Sequence, residues 1–353
     1  MSAAPLTWEA AWEERGLEFA LHAAAGRTLA LVGPNGAGKS SALGVAAGTL
    51  RADRALVRVG ETVLTDTGRP GRRAVPVHRR GVGLLAQQPL LFPHLNVRDN
   101  VAFGLRAAGR SRREAARAAE AALEQVGARA WERRRPRELS GGQAARVALA
   151  RAVAPAPRVL LLDEPFAALD AAALPGLRGL VREVLRGRTA VLVTHDPLDA
   201  LLLADDVAVL ERGRVVDQGP VRDVLDAPRT AFTAELTGLN VLRGTVSGGA
   251  LETGEGVRVH AEIDLPSGSA AVAVVDPAAV AVHLDPTPLA SPRNVWPATV
   301  TALEPRGRRV LVRTDVAHAE ITPAAVRDLD LQPGSPVHLV VKATEISVHP
   351  AVG

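Results

Sequence analysis

Apolar residues are distributed along the chain in two regimes. Up to about residue 235, runs of four or five mostly apolar residues alternate with longer stretches in which Ala and Leu recur at helical spacing. The runs at 28–32, 82–86, 159–162, 190–194 and 207–211 predict strands buried on both faces, the pattern imposed by a parallel sheet covered with helices. Residues 112–126 set Ala and Leu on one side of a helix and Arg and Glu on the other, which predicts an amphipathic helix facing solvent. Strands and helices in alternation predict an α/β domain over residues 1–235, with a helical part at about 90–150.

After Thr237-Gly238 the pattern changes. Val, Thr, Gly and Pro dominate, and short alternating runs lie between turn residues, which predicts an all-β, OB-like domain over residues 238–353. This tail repeats itself. Asn240-Val-Leu-Arg-Gly-Thr-Val246 is echoed by Asn294-Val-Trp-Pro-Ala-Thr-Val300, and His260-Ala-Glu-Ile263 by His318-Ala-Glu-Ile321, at offsets of 54 and 58 residues. Two matches in the same order predict two similar units, about 238–288 and 289–353.

Length and charge add to this picture. A chain of 353 residues exceeds one small core, in keeping with two domains. The pI of 10.6 overstates the basicity, because the net charge is only +4. With no Tyr, no Cys and two Lys, almost nothing titrates between His and Arg, so the value drifts toward the Arg pKa. Nucleic-acid binding is therefore not expected, and the basic stretch 129–137 (RAWERRRPR) reads as a solvated helix end and loop. The absence of Cys excludes disulfides and thiolate metal sites. No secretory signal and no apolar run of 18 residues is present, so any membrane role is expected to come through a partner. Of 42 basic residues only Lys39 and Lys342 are lysines, which marks both as positions where a compact ammonium is wanted.

Lys39 lies in Gly33-Pro34-Asn35-Gly36-Ala37-Gly38-Lys39-Ser40, between the predicted strand 28–32 and a predicted helix at 40–47. That is GxxxxGK[ST] in the setting it requires: backbone N–H groups and a helix N-terminus wrap phosphates. Lys39 is placed to reach the β- and γ-phosphates, Ser40 to coordinate Mg²⁺ and Ser41 to donate to the α-phosphate. The run 158–162 ends in Asp163-Glu164. A buried strand would deliver Asp163 to the metal and Glu164 to the attacking water.

Leu139-Ser140-Gly141-Gly142-Gln143 supplies a second anion site: Ser140 can cap a helix starting near Gln143, and the two glycines leave N–H groups bare. With two triphosphate cradles in one chain, the sequence resembles the nucleotide-binding subunit of ATP-binding cassette transporters over residues 1–235. That resemblance implies a P-loop NTPase fold, ATP and Mg²⁺ as cofactors, and a head-to-tail homodimer in which Lys39 of one subunit and Ser140 of the other grip the same ATP. It assigns Gln87, rather than Gln88, to the loop approaching Mg²⁺ and water. Asp170 in Ala168-Leu169-Asp170 falls in the loop crossing the dimer seam, and His195 in Thr194-His195-Asp196 takes the place of the switch histidine. Adenine is expected to stack on an aromatic near the N-terminus. Trp8, Trp12 and Phe19 are in range, and Trp12 fits the spacing best.

Residues 87–105, around Phe92-Pro93-His94-Leu95, resemble the segment of importers that meets the permease, with Leu91 and Phe92 exposed. The paired β tail resembles the regulatory domain of molybdate/tungstate, sulfate, ferric-ion, polyamine and sugar importers. Within that group Ser291-Pro292-Arg293-Asn294 and Lys342 resemble the start and the late lysine of the molybdate-binding (Mop) module. The resemblance thus implies an ATPase for molybdate or tungstate import, peripheral on the cytoplasmic face of the membrane. It would work with permease subunits and an extracytoplasmic binding protein, and its tail would bind oxyanion through Ser291, Arg293 and Lys342. The alternatives are another cargo of the same group, or a cytoplasmic oxyanion sensor or store. A soluble repair or translation ATPase would need coiled-coil insertions or two cassettes, and neither is present.

Overall fold

The structure is a computed structural model that describes residues 3–68, 73–167, 174–286 and 293–351. The chain divides into two compact units, Met1–Val221 and Arg222–Gly353. The first runs β1 (Leu6–Trp12), β2 (Leu17–Ala23), β3 (Thr28–Val32), α1 (Lys39–Ala47), β4 (Arg54–Val59), β5 (Thr62–Asp66), β6 (Arg73–Ala74) and β7 (Val82–Leu85). It continues with α2 (Val97–Ala107), α3 (Arg112–Gln125), α4 (Gly141–Val153), β8 (Val159–Asp163), α5 (Leu174–Leu185), β9 (Thr189–Val193), α6 (Pro197–Leu203), β10 (Asp206–Glu211) and β11 (Arg214–Pro220).

Strands β10, β3, β9, β8 and β7 lie side by side and parallel, with β11 antiparallel on the edge. The five predicted strands fall on these five, each end within one residue. Their continuous apolar character has a direct cause. Alternate residues feed two different cores: Leu160, Leu162, Ala190 and Leu192 pack against α2–α5, while Val159, Leu161, Val191 and Val193 pack against α1 and the antiparallel sheet β2-β1-β4-β5-β6. The predicted amphipathic helix is α3, which buries Ala115, Ala119, Ala122 and Leu123 and is opened by a Ser111–Glu114 capping box. Helices α2, α3 and α4 pack on one another.

The second unit contains most of α7 (Val221–Asp226) and all of α8 (Ala231–Thr237), so its helices precede the composition change at Gly238. It then runs β12 (Asn240–Ser247), β13 (Ala250–Thr253), β14 (Arg258–Val259), β15 (Ala270–Val275), β16 (Ala281–His283), β17 (Asn294–Arg306), β18 (Arg309–Thr314), β19 (Ala319–Ile321), α9 (Pro323–Asp328), β20 (Pro336–Val341) and β21 (Ile346–Pro350). Two antiparallel sheets result, ordered β14-β13-β12-β15-β21 and β16-β20-β17-β18-β19, over one shared core.

Each half of the tail lends a strand to the other: β21 pairs with β15, and β16 with β20. The repeated sequences lock this exchange. Asn240 Nδ2 donates to the His318 carbonyl at 2.8 Å, and its Oδ1 accepts from the His318 N–H at 2.7 Å. Asn294 does the same to His260, at 2.9 and 2.7 Å. Both amides are buried, 5% and 1% exposed, so each acts as one extra rung of backbone pairing inside the core. The Asn and His that repeat in the sequence are thus the two ends of reciprocal clamps.

Candidate active site

The loop between β3 and α1 is shaped by glycine. Gly33 has φ 155°, and a Cβ there would lie 2.0 Å from the Leu210 carbonyl oxygen, so only glycine fits against β10. Asn96, Ser111 and Ser140 cap α2, α3 and α4 with their side chains. In contrast, α1 starts from Gly38 with no side-chain cap, leaving its first N–H groups to an anion. Lys39 is 6% exposed, and its Nζ donates to the carbonyls of Gly33 (2.7 Å) and Pro34 (2.9 Å). Burial lowers its pKa, opposed by the carboxylates of Glu164 and Asp163.

Asp163 ends β8 at the carboxyl edge of the parallel sheet, where Ser40 Oγ donates to its Oδ1 at 3.1 Å. Burial raises the Asp163 pKa and the Ser40 hydrogen bond opposes the rise. A hydroxyl and a carboxylate in contact form a hard-oxygen pair of the kind Mg²⁺ takes beside phosphate oxygens, so the residues fit that ion. Glu164 follows with φ 45°, a left-handed conformation costly for a side chain with a Cβ, held by its N–H donating to Val193 O at 3.0 Å. The effect is to turn its carboxylate toward two other loops. Gln87 Nε2 donates to Glu164 Oε2 at 3.1 Å, and His195 Nδ1 stands 3.7 Å from the same oxygen. Four segments predicted from sequence to cooperate, around residues 39, 87, 163 and 195, are therefore gathered at one sheet edge.

Trp12 ends β1 and packs in part on the core. Arg15 lies over its ring, 4.3 Å from the centroid, and donates to Ser41 Oγ at 3.0 Å. Trp8 and Phe19 are buried at 1% and 6%, which leaves Trp12 as the aromatic of the three with ring surface near the loop. Ser140 caps α4, which begins at Gly141 rather than near Gln143: Ser140 Oγ accepts from Gln143 N–H at 3.3 Å, and Gln143 Oε1 accepts from Ser140 N–H at 3.1 Å. The Ser140 hydroxyl proton remains free to be donated outward. Among the described residues no hydrogen bond joins 139–143 to 33–41. Asp170 lies outside the described residues.

Two arginines beside the site had no local signature in the sequence. Arg178 on α5 donates to Asp199 Oδ1 at 2.6 Å and to Asp196 Oδ2, and its guanidinium lies 5.9 Å from the Phe166 ring centroid. These partners are 18 and 21 residues away in sequence, so no spacing rule finds them. Arg151 on α4 donates to the carbonyls of Pro89 and Leu90 at 2.7 and 2.8 Å, tying α4 to the loop after Gln87.

The apolar surface expected at Leu91 and Phe92 needs correction. Leu90 has φ 43°, and this turn sends Leu90 outward (63% exposed) while Leu91 packs against the helical core. Buried Asn100 grips both backbone groups of Phe92, whose ring sits 4.4 Å from that of Phe103, 46% exposed. The exposed apolar residues are therefore Leu90 and Phe103, with Phe92 half-buried against Phe103.

In the tail, Asn294 and Val341 form the end pair of β17 and β20, and Arg293 and Lys342 are the next residue on each chain segment, both exposed. Ser291 lies outside the described residues. The corresponding positions of the first half, beside the Asn240–Val275 pair, are Leu239 and Asp276. Only the second half carries the cationic pair.

The model of the ABC transporter family matches residues 17–167, and that of the TOBE domain residues 290–348. The chain is 48% identical to the molybdenum import ATP-binding protein ModC of Mycobacterium tuberculosis, over 96% of this chain and 95% of that one. It is 40% identical to the sulfate/thiosulfate import ATP-binding protein CysA of Xanthomonas campestris, over 84% of each. The Fe(3+) ions import ATP-binding protein FbpC of Mesorhizobium japonicum is 43% identical over 65% of this chain and 63% of its own.

Proposed function

The chain belongs to the ATP-binding cassette transporter family, and we propose that it hydrolyses ATP to drive import of molybdate or tungstate through a membrane permease. The observation that carries the hydrolytic reading is the convergence of Gln87 and His195 on one carboxylate oxygen of Glu164, beside the Ser40–Asp163 pair. Glu164 orients the attacking water and takes its proton as the bond from water to the γ-phosphorus forms and the β–γ bridge breaks. Gln87 and His195 fix that carboxylate, and Lys39 spreads its charge over the β- and γ-phosphates. Ser40, Asp163 and Gln87 would hold Mg²⁺, which when bound neutralises phosphate charge. The base stacks at Trp12, where Arg15 now covers the ring. Ser140, Gly141, Gly142 and Gln143 of a second copy close the site from the far side, with Asp170 in the seam.

The permease takes the exposed apolar residues Leu90 and Phe103, so the chain works at the cytoplasmic face of the membrane. No helix among the described residues is long and apolar enough to cross a membrane. Support for the cargo comes from likeness along nearly the whole chain to a protein named for molybdenum import, and from the cations Arg293 and Lys342 that flank the Asn294–Val341 pair. A tetrahedral dianion suits such a pair, and the Leu239/Asp276 counterpart limits each chain to one such site.

Two measurements test this reading. Glu164→Gln is expected to bind ATP and to lose hydrolysis by at least about 100-fold; undiminished hydrolysis removes Glu164 from its role. Calorimetry with molybdate, tungstate and sulfate is expected to show one site per chain that Ser291→Ala, Arg293→Ala and Lys342→Ala each weaken. Absence of heat from the unaltered protein would leave the tail a structural element, and a preference for sulfate would move the cargo.

A further inference from the structure

His195 is flanked on both sides in sequence by members of one hydrogen-bonded cluster. Its neighbour Thr194, 3% exposed, donates its hydroxyl to Asp199 Oδ2 at 3.1 Å. Its other neighbour, Asp196, donates its N–H to that same Thr194 hydroxyl at 3.1 Å and accepts from Leu198 N–H at 2.8 Å, capping α6. Both acids end on Arg178: Asp199, 3% exposed, through Nε, and Asp196 through Nη2. Arg178 is 17% exposed in its side chain and lies near Phe166, two residues beyond Glu164. It sits on α5, which is described from Leu174 onward. The residue joining the Glu164 strand end, α5 and both flanks of His195 is thus a single planar cation, whose fork matches two carboxylates as a lysine could not.

We propose that Arg178 is a positioning residue for hydrolysis: it sets His195 against Glu164 through Asp196 and Asp199, so that displacement of α5 is passed to the histidine. His195 itself is 62% exposed in its side chain, and among the described residues its side chain has the 3.7 Å approach to Glu164 alone, so its placement depends on its flanking residues. This inference rests on the hydrolytic reading above, and its test separates the two.

The full-length chain is assayed for ATP hydrolysis over a range of ATP concentrations, and for ATP binding separately. Arg178→Lys keeps the charge and loses the fork. Because a partner stranded next to buried Asp199 can compromise folding, Asp196→Asn is the second variant: it keeps the α6 cap and leaves Arg178 paired with Asp199. Each is expected to lower kcat about 10-fold or more, with KM and ATP binding within about twofold of wild type, since misplacement of a reacting group is felt in turnover. The deciding comparison is a cycle with His195→Ala. If Arg178 and Asp196 act through His195, Asp196→Asn adds less than about twofold to the His195→Ala defect. Full multiplication of the two losses, or wild-type kcat in both Arg178→Lys and Asp196→Asn, overturns the proposal. Wild-type kcat in His195→Ala alone overturns the histidine's role in the parent reading and this inference with it, whereas loss in His195→Ala with none in the other two overturns only this inference.

Discussion

Replacing Asn294 with Ala tests the account of the tail at its most constrained point. The side chain is 1% exposed and makes three hydrogen bonds: it accepts from His260 N–H at 2.7 Å and donates to His260 O at 2.9 Å and to Val341 O at 3.3 Å. Truncation removes these bonds and leaves the His260 N–H and carbonyl without partners. A lost bond costs about 1 kcal/mol net and a stranded buried group about 1–3 kcal/mol. His260 is only partly buried, so water can reach part of its backbone. The expected loss is therefore about 2–4 kcal/mol in the opening free energy of this unit. Amide hydrogen exchange reads this at the site: the His260 N–H should exchange roughly 30- to 1000-fold faster. Asn240→Ala should do the same to His318, while each variant leaves the Lys39–Ala47 helix unchanged. An unaltered His260 exchange rate in Asn294→Ala, or a stability change below about 0.5 kcal/mol, would refute the clamp.

Further expectations follow from the site. Burial raises the Asp163 pKa, so between its ordinary and its raised value the folded chain binds more protons than the unfolded one; this group therefore makes stability fall as pH rises through that window. Without nucleotide, Asp163→Asn should then be more stable than wild type at neutral pH and lose that advantage on acidification, as thermal midpoints across pH would record; an advantage independent of pH would contradict the cause. Gly33→Ala should abolish ATP binding, because its methyl meets the Leu210 carbonyl at 2.0 Å; calorimetry with ATP checks this, and retained affinity would show that the loop yields. Leu90→Ser with Phe103→Ser should leave hydrolysis by the isolated chain within about twofold and weaken its association with permease-containing membranes, since apolar burial drives such docking. Equal co-sedimentation of variant and wild type would move the interface elsewhere.

Motifs that act through local geometry could be read from the sequence. The loop at 33–40 works through backbone N–H groups and a helix start fixed within eight residues, and Asp163-Glu164 is placed by the strand it ends. The strands were legible because burial on both faces leaves no polar position. What escaped depends on contacts between distant segments. Arg178 meets its acids only after β9 and α6 fold back on α5. The repeat was visible as similarity, but the exchange of β16 and β21 between halves was not, because pairing partners leave no mark at fixed spacing. The single left-handed residue at Leu90 was enough to invert which leucine faces outward.

The central claim is that Lys39 of one chain and Ser140 of another face the same ATP. Since the chain has no cysteine, Asn35→Cys and Ser140→Cys can each be introduced alone, in a Glu164→Gln background that retains nucleotide. A short bifunctional thiol reagent should yield a covalent dimer from the mixture of the two variants with MgATP, and from neither variant by itself. No dimer from the mixture, with ATP bound and both thiols reactive, would contradict the shared site.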